Sequence, residues 1–289
     1  MQQDGITDTV ITNFADEAIN LPLSEVCALL NDRVEAFLKR PPTSDIEARV
    51  QSQTRISLNV IEEALQRYDL SSLSVSYNGG KDCLVLLILF LSSLHAHLRK
   101  TNSPFPSSIP SIYAYPPDPF SSVTSFVESS SKTYHLDLAH IPTNPRPSPS
   151  SSSSAAKVSI RDAFESYLRP RPHIRAIFVG TRRTDPHGSN LTFFDPTDHG
   201  WPQFMRIHPV IDWKLAEIWG FLRAKEFLHS GVTYCDLYDQ GYTSLGGRGD
   251  TLPNPLLKIG QGNDEGRRSD GYRPAYELEE DGVERLGRE

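Results

Sequence analysis

The chain is short of cysteine, has no basic residue near its beginning and lacks any long hydrophobic run. Its three cysteines, Cys27, Cys83 and Cys235, lie far apart without a Cys-x-x-Cys pair. That argues against a disulfide framework or a structural zinc site and fits a reducing compartment. The first 25 residues hold Asp4, Asp8, Asp16, Glu17 and Glu25 and no Lys or Arg. A mitochondrial presequence is Arg-rich and acid-poor, and a secretory signal starts basic and turns apolar; neither pattern is present. The longest apolar run, residues 84–91, has eight residues, far below the ~20 that span a bilayer. A cytoplasmic protein with no membrane partner is therefore expected. An excess of positive charge is missing too. The net charge of −7 argues against a nucleic-acid partner, which needs a basic face. A small anionic ligand remains open, since it needs only a local positive cleft.

What is present suits a globular α/β protein. Residues 1–20 carry little periodicity and read as a loose N-terminal arm, with 21–289 as one domain expected to act as a monomer. Ser24 and Ser44 are candidate helix caps, Ser44 forming a capping box with Glu47. Helices are expected to about Lys39 and Tyr68, the first ended by Pro41 and Pro42. Residues 73–77 alternate like a short strand, and a buried helix from Cys83 to about Leu98 follows. Further strands are expected at 111–115, 134–138 and 174–179, with helices at 161–168 and 212–229, the last capped by Asp212 and ended by Gly231. Residues 143–156, rich in Ser and Pro, read as a flexible surface insertion. Strands alternating with helices predict a mainly parallel twisted sheet flanked by helices.

The chemistry concentrates in three places. Ser76-Tyr77-Asn78-Gly79-Gly80-Lys81-Asp82-Cys83 lies between a strand and a helix. Glycines there let the backbone approach phosphate, and the helix start adds N–H donors and the positive end of the macrodipole. Lys81 could neutralise phosphate charge, and Asp82 could hold a Mg²⁺ shared with phosphates. A Walker A loop is excluded, because Val75 and Asp82 occupy the positions that need Gly and Ser/Thr. The loop instead resembles the Ser-Gly-Gly-x-Asp-Ser pyrophosphate loop of the ATP pyrophosphatase superfamily, with Asn78 and Cys83 in place of its serines. That resemblance implies binding of the β- and γ-phosphates and reaction at the α-phosphorus. Second, Gly180-Thr-Arg182-Arg183-Thr-Asp185-Pro186 follows a strand, where α/β folds place ligands. Its arginines suit phosphate, or a solvated loop. Third, Asp198 sits among Trp201, Phe204 and Trp213, which suits a stacked flat ligand or ordinary core packing.

These segments, with Gly241-Tyr-Thr-Ser-Leu-Gly246, occur in an order and spacing that resembles the eukaryotic FAD synthases, specifically the FMN adenylyltransferase of the fungal stand-alone type. The resemblance spans roughly residues 50–289. It implies a phosphoadenylyl-sulfate reductase-like fold of the adenine nucleotide α-hydrolase kind. It also implies Mg²⁺-dependent transfer of AMP from ATP to FMN, releasing pyrophosphate and leaving FAD. Asn78, Asp82, Asp185, Arg285 and Arg288 match the family's catalytic positions. ATP is expected on Ser76, Tyr77, Asn78, Gly79, Gly80, Lys81, Gly180, Arg182 and Arg183. The flavin is expected near Asp185, Asp198, Trp201, Arg285 and Arg288, and the metal on Asp82. The tail, 248–289, would thus contribute to the site. The chain departs from the family in reading Pro119-Phe-Ser after the second strand, and in placing Tyr113-Ala-Tyr115 where acidic residues are expected near the base. A non-catalytic flavin- or nucleotide-binding module is the alternative.

Overall fold

A computed structural model describes residues 20–144, 158–228, 232–259 and 271–288. Helix α1, Leu23–Lys39, buries Leu23, Val26, Cys27, Leu30, Val34 and Phe37, the stripe its apolar spacing dictates. Its N-cap is Pro22, not Ser24. Helix α2, Asp45–Arg67, is capped by Ser44, whose hydroxyl accepts the Glu47 N–H at 3.3 Å. The Glu47 carboxylate reaches back to Thr43 rather than to Ser44 itself.

Strand β1, Leu73–Ser76, leads into α3, Lys81–Thr101. Residues 84–91 of α3 are each 0–1% exposed, because a helix apolar on every side belongs in a core. By length and composition α3 could cross a membrane, but 72% of its apolar window is buried inside this fold. After it come β2, Ile109–Tyr115, α4, Ser121–Thr133, β3, Leu136–Pro142, and α5, Ile160–Leu168. Then follow β4, Ala176–Phe178, β5, Phe194–Pro196, β6, Met205–Ile207, α6, Leu215–Leu222, and α7, Lys225–Leu228. The six strands form one sheet in the order β3-β2-β1-β4-β6-β5, parallel except for β5 against β6.

The sheet separates two cores. Ala176 and Phe178 of β4 face the larger one, where Phe178 meets Phe90 of α3 at 4.9 Å between rings. Ile177 faces the smaller one with Ile112, Phe164, Tyr167 and Phe204. Each fully buried Leu, Ile or Phe contributes roughly 1.5–3 kcal/mol, so the sheet and α3 form a stiff base. The expected helix over 212–229 is divided. α6 begins at Leu215, whose N–H goes to the Asp281 carboxylate at 2.8 Å, while Asp212 instead binds Arg183. Gly231, the N-terminal arm to residue 19 and most of the Ser/Pro segment lie outside the described residues. The ends of that segment are joined, Asn144 pairing with Val158 across an antiparallel bridge.

Candidate active site

β1 crosses over to β2 on one side and lies against β4 on the other. At such a switch point the strands' C-terminal ends open a crevice. The loop from Ser76 to Asp82 fills one wall of it. Asn78 Oδ1 accepts the Gly80 N–H at 2.9 Å, a local turn that tightens the entry to α3. Gly79 has φ +72°, and a Cβ there would lie 2.7 Å from Val127 Cγ2, so both backbone and space demand glycine. The Lys81 N–H donates to the Tyr238 hydroxyl at 2.9 Å, satisfying one of the orphan amides of a helix start. Opposite, Gly180 follows β4. A Cβ on it would come within 2.9 Å of the Cys83 backbone nitrogen, so the second motif packs directly on the first.

Between them lies a cavity of ≈ 240 Å³ lined by the loop, residues 179–181, Asp185, Tyr238, Leu245, Glu284 and Arg285. A second cavity of ≈ 640 Å³ adjoins it and shares Asn78, Leu245 and Arg285. Its walls are Tyr113, Ala114, Val123, the prolines 116, 117 and 119, the glycines 246, 247 and 249, Asp118, Asp250 and Arg288. A small polar chamber thus adjoins a larger, mixed polar and apolar one. Such a pair can seat a polyphosphate and a flat organic group in line.

A buried ion network forms the floor of the smaller chamber. Lys81, 2% exposed, places Nζ 3.0 Å from Asp82 and 2.5 Å from Glu284. Arg182, fully buried, reaches Asp281 at 2.9 Å and makes a short contact with Glu284. Its Nε also lies 2.6 Å from Asp82 Oδ1 without the alignment of a hydrogen bond. Burial opposes the charge on Lys81, yet Asp82 and Glu284 outweigh it and raise its pKa. For Asp82, burial is likewise outweighed, by Lys81 and Arg182, and its pKa is lowered. Asp185 differs. Burial raises its pKa, although the Arg182 N–H donates to it at 2.8 Å. Burial also pushes the Cys83 thiol up to about 12, which suits a packing group rather than a nucleophile.

The structure gathers most of the expected residues and disperses others. Ser76, Asn78, Gly80, Lys81, Asp82, Gly180, Asp185 and Arg285 line the smaller chamber, and Arg288 the larger. Tyr77 points into the core, 0% exposed, its hydroxyl donating to Ser130. Arg182 and Arg183, expected on phosphate, are committed elsewhere. The guanidinium of Arg182 is held by carboxylates, and that of Arg183 is tied to Asp212 at 2.7 Å and to the Leu191 carbonyl at 2.8 Å. Asp198 is exposed and pairs with Arg206. Trp201 packs on Phe164, Phe204 stacks on the same ring, and Trp213 is 1% exposed in the main core. Phe204 and Trp213 are core residues, while Trp201 stays half-buried. The hairpin still approaches the larger chamber, since Ile160 lines it and the next residue, Arg161, donates to the Gly200 carbonyl at 2.5 Å.

Sequence reasoning missed Asp281, Glu284, Thr243 and Tyr238. Glu284 partners Lys81 across 203 positions, and nothing local marks such a pairing. The available signals were that Thr243 lies within the Gly241–Gly246 segment and that Glu284 directly precedes Arg285 in a tail already singled out.

The chain is similar to several known proteins. Residues 72–253 match the phosphoadenosine phosphosulfate reductase domain. A probable FAD synthase of Schizosaccharomyces pombe is 39% identical over 239 residues, 83% of this chain and 80% of that protein. The flavin adenine dinucleotide synthase of Saccharomyces cerevisiae is 32% identical, over 93% of this chain and 84% of its own. Among solved structures, Candida glabrata FMN adenylyltransferase in complex with FAD and inorganic pyrophosphate superposes with a TM-score of 0.79. Sequence identity there is 28%, covering 93% of this chain and 98% of that one. At 39% and 32% identity to the two synthases, over four fifths or more of both chains, this protein belongs to the FAD synthase family, and it carries the phosphoadenosine phosphosulfate reductase domain.

Proposed function

We propose that the chain is an FMN adenylyltransferase, transferring AMP from ATP to the phosphate of FMN to give FAD and pyrophosphate. The observation that carries this reading is that the two chambers adjoin and share Asn78, Leu245 and Arg285 in their walls. The smaller one, ringed by the glycine loop and the start of α3, suits the β- and γ-phosphates. The relatives' names assign this reaction to the S. pombe, S. cerevisiae and C. glabrata proteins.

A phosphate oxygen of FMN attacks the α-phosphorus in line, one P–O bond forms, and the bond to pyrophosphate breaks. The nucleophile is already an anion, so no general base is required, and no covalent intermediate with the protein is needed. What the protein must supply is alignment and relief of anion–anion repulsion. Asn78 and the loop glycines hold the phosphates, and Arg285, exposed at the junction of the chambers, spreads charge as it transfers. Arg288, on the larger chamber, is assigned to the flavin side, whereas Asp185, expected there, lines the smaller chamber. Asp82 is the candidate magnesium ligand, because its carboxylate lines the chamber beside the glycine loop and Mg²⁺ is commonly held by one or two carboxylates plus substrate phosphates. Bound there, the ion would neutralise phosphate charge.

The test is chromatographic detection of FAD from purified protein with ATP, FMN and Mg²⁺. FAD and pyrophosphate in equal amounts support the assignment. Binding of FMN and ATP without turnover would instead make the chain a binding module.

A further inference from the structure

The charge arrangement of the smaller chamber carries a consequence beyond the assigned reaction, and it concerns Glu284. Lys81 and Arg182 look like phosphate ligands by type, yet Asp82, Asp281 and Glu284 surround them. Two cations against three carboxylates leave the floor with one net negative charge. A polyanion entering the chamber therefore finds little attraction in that floor. The positive charge has to come from Arg285, which is exposed, lines both chambers and whose guanidinium has no hydrogen-bond or ion-pair partner among the described residues. Arg288 is already engaged, with the Leu245 carbonyl at 2.8 Å and with Asp250 at 3.5 Å.

Arg285 is delivered by the residue before it. Glu284 is 5% exposed, and its two carboxylate oxygens are divided between Lys81 at the start of α3 and Arg182 after β4. Its backbone carbonyl accepts from the Thr243 hydroxyl, and the buried Asn254 side chain donates to the Val283 carbonyl at 2.8 Å. Asp281 anchors the same segment a turn earlier, between Arg182 and the first amide of α6. The segment 281–288 is thus fastened to both sides of the chamber, and Glu284 fixes it to both phosphate motifs at once.

We propose that Glu284 is a positioning residue, a carboxylate latch that seats the 281–288 segment on Lys81 and Arg182 and so holds Arg285 at the junction of the two chambers. The proposal rests on the FMN adenylyltransferase reading for its effect on rate, but the latch itself can be read without turnover.

Three variants test it: Glu284→Gln, Arg285→Ala and the double substitution, with Glu284→Asp as the conservative control. In hydrogen–deuterium exchange, amides of 284–288 in Glu284→Gln should exchange about tenfold faster or more, as a local opening does, while the α3 amides stay protected. Glu284→Asp should recover part of that protection. Unchanged exchange at 284–288 would overturn the latch, whatever the enzyme does. In steady-state assays Glu284→Gln should lower kcat/KM by about tenfold or more, and the double variant should be no worse than Arg285→Ala, because residues acting as a unit are not additive. Losses that multiply would show that Glu284 does not work through Arg285. If wild-type protein makes no FAD while exchange behaves as expected, the reaction assignment fails and the latch stands.

Discussion

Replacing Arg182 with leucine is the sharpest test of the buried network. Its guanidinium faces Asp82 at 2.6 Å, Asp281 at 2.9 Å and Glu284 in a short contact. At an effective dielectric of ~20, one contact near 3 Å corresponds to about 5–6 kcal/mol of gross attraction. Desolvation of the buried ions returns much of that. Arg182→Leu removes the attraction but leaves three carboxylates in place, and losing one partner of a buried pair costs about 3–5 kcal/mol. For 289 residues, 1 kcal/mol moves Tm by about 2 °C, so a fall of about 6–10 °C is expected at pH 8.

The loss should depend on pH in a definite direction. In the variant, Lys81 alone faces three carboxylates, and one of them should take up a proton above its ordinary pKa. A carboxyl with a raised folded-state pKa binds more protons folded than unfolded, so the variant recovers as pH falls through that value. Wild-type Asp82 is the opposite case, its pKa lowered by Lys81 and Arg182 against the pull of burial. Its contribution is present above its unfolded pKa and is lost only in stronger acid. Thermal or urea unfolding of both proteins at pH 8 and pH 5.5 reads the difference. A Tm drop under about 2 °C at pH 8, or a deficit identical at both pH values, would refute the reasoning.

Other expectations follow from the same site. Asp82→Ala should lower kcat for FAD formation by ~100-fold or more, the scale of lost charge-stabilising groups; a rate within threefold of wild type, with unaltered Mg²⁺ dependence, would remove Asp82 from the metal. Gly180→Ala drives a methyl into the Cys83 backbone at under 3 Å and should cost roughly 1–3 kcal/mol as overpacking, together with much of the activity. Chemical denaturation reads the first and FAD formation the second. Arg183→Ala should cost at most about 1 kcal/mol, because its pair with Asp212 is part-exposed. Its kcat should stay close to wild type, and a tenfold fall would return Arg183 to the site. Cys83, with its thiol pushed up to about 12, should resist alkylation at neutral pH in the folded protein and react freely in denaturant.

What could be read from the sequence followed how local the physics is. The Ser44 cap and the strand–loop–helix of Ser76 to Lys81 are written in neighbouring residues, and the structure realises them nearly as read. The eight apolar residues of α3 gave a buried helix because hydrophobicity on every side leaves no alternative. Boundaries were less secure. Asp212 looked like a helix cap, yet Asp281, far away in the chain, fills that role while Asp212 goes to Arg183.

Residue type alone left the surroundings of Arg182 and Trp201 open. A guanidinium or an indole is equally suited to ligand and to interior, and the sequence does not say which neighbours satisfy it. By itself the sequence determined an α/β chain, a glycine loop before a buried helix, and the family that these segments mark. Only the tertiary structure decided which charges are spent on each other and which remain for substrate. Lys81, Arg182, Asp82, Asp281 and Glu284 come from three separate stretches, and Coulomb attraction at 2.5–3.0 Å depends on distances that chain order does not encode.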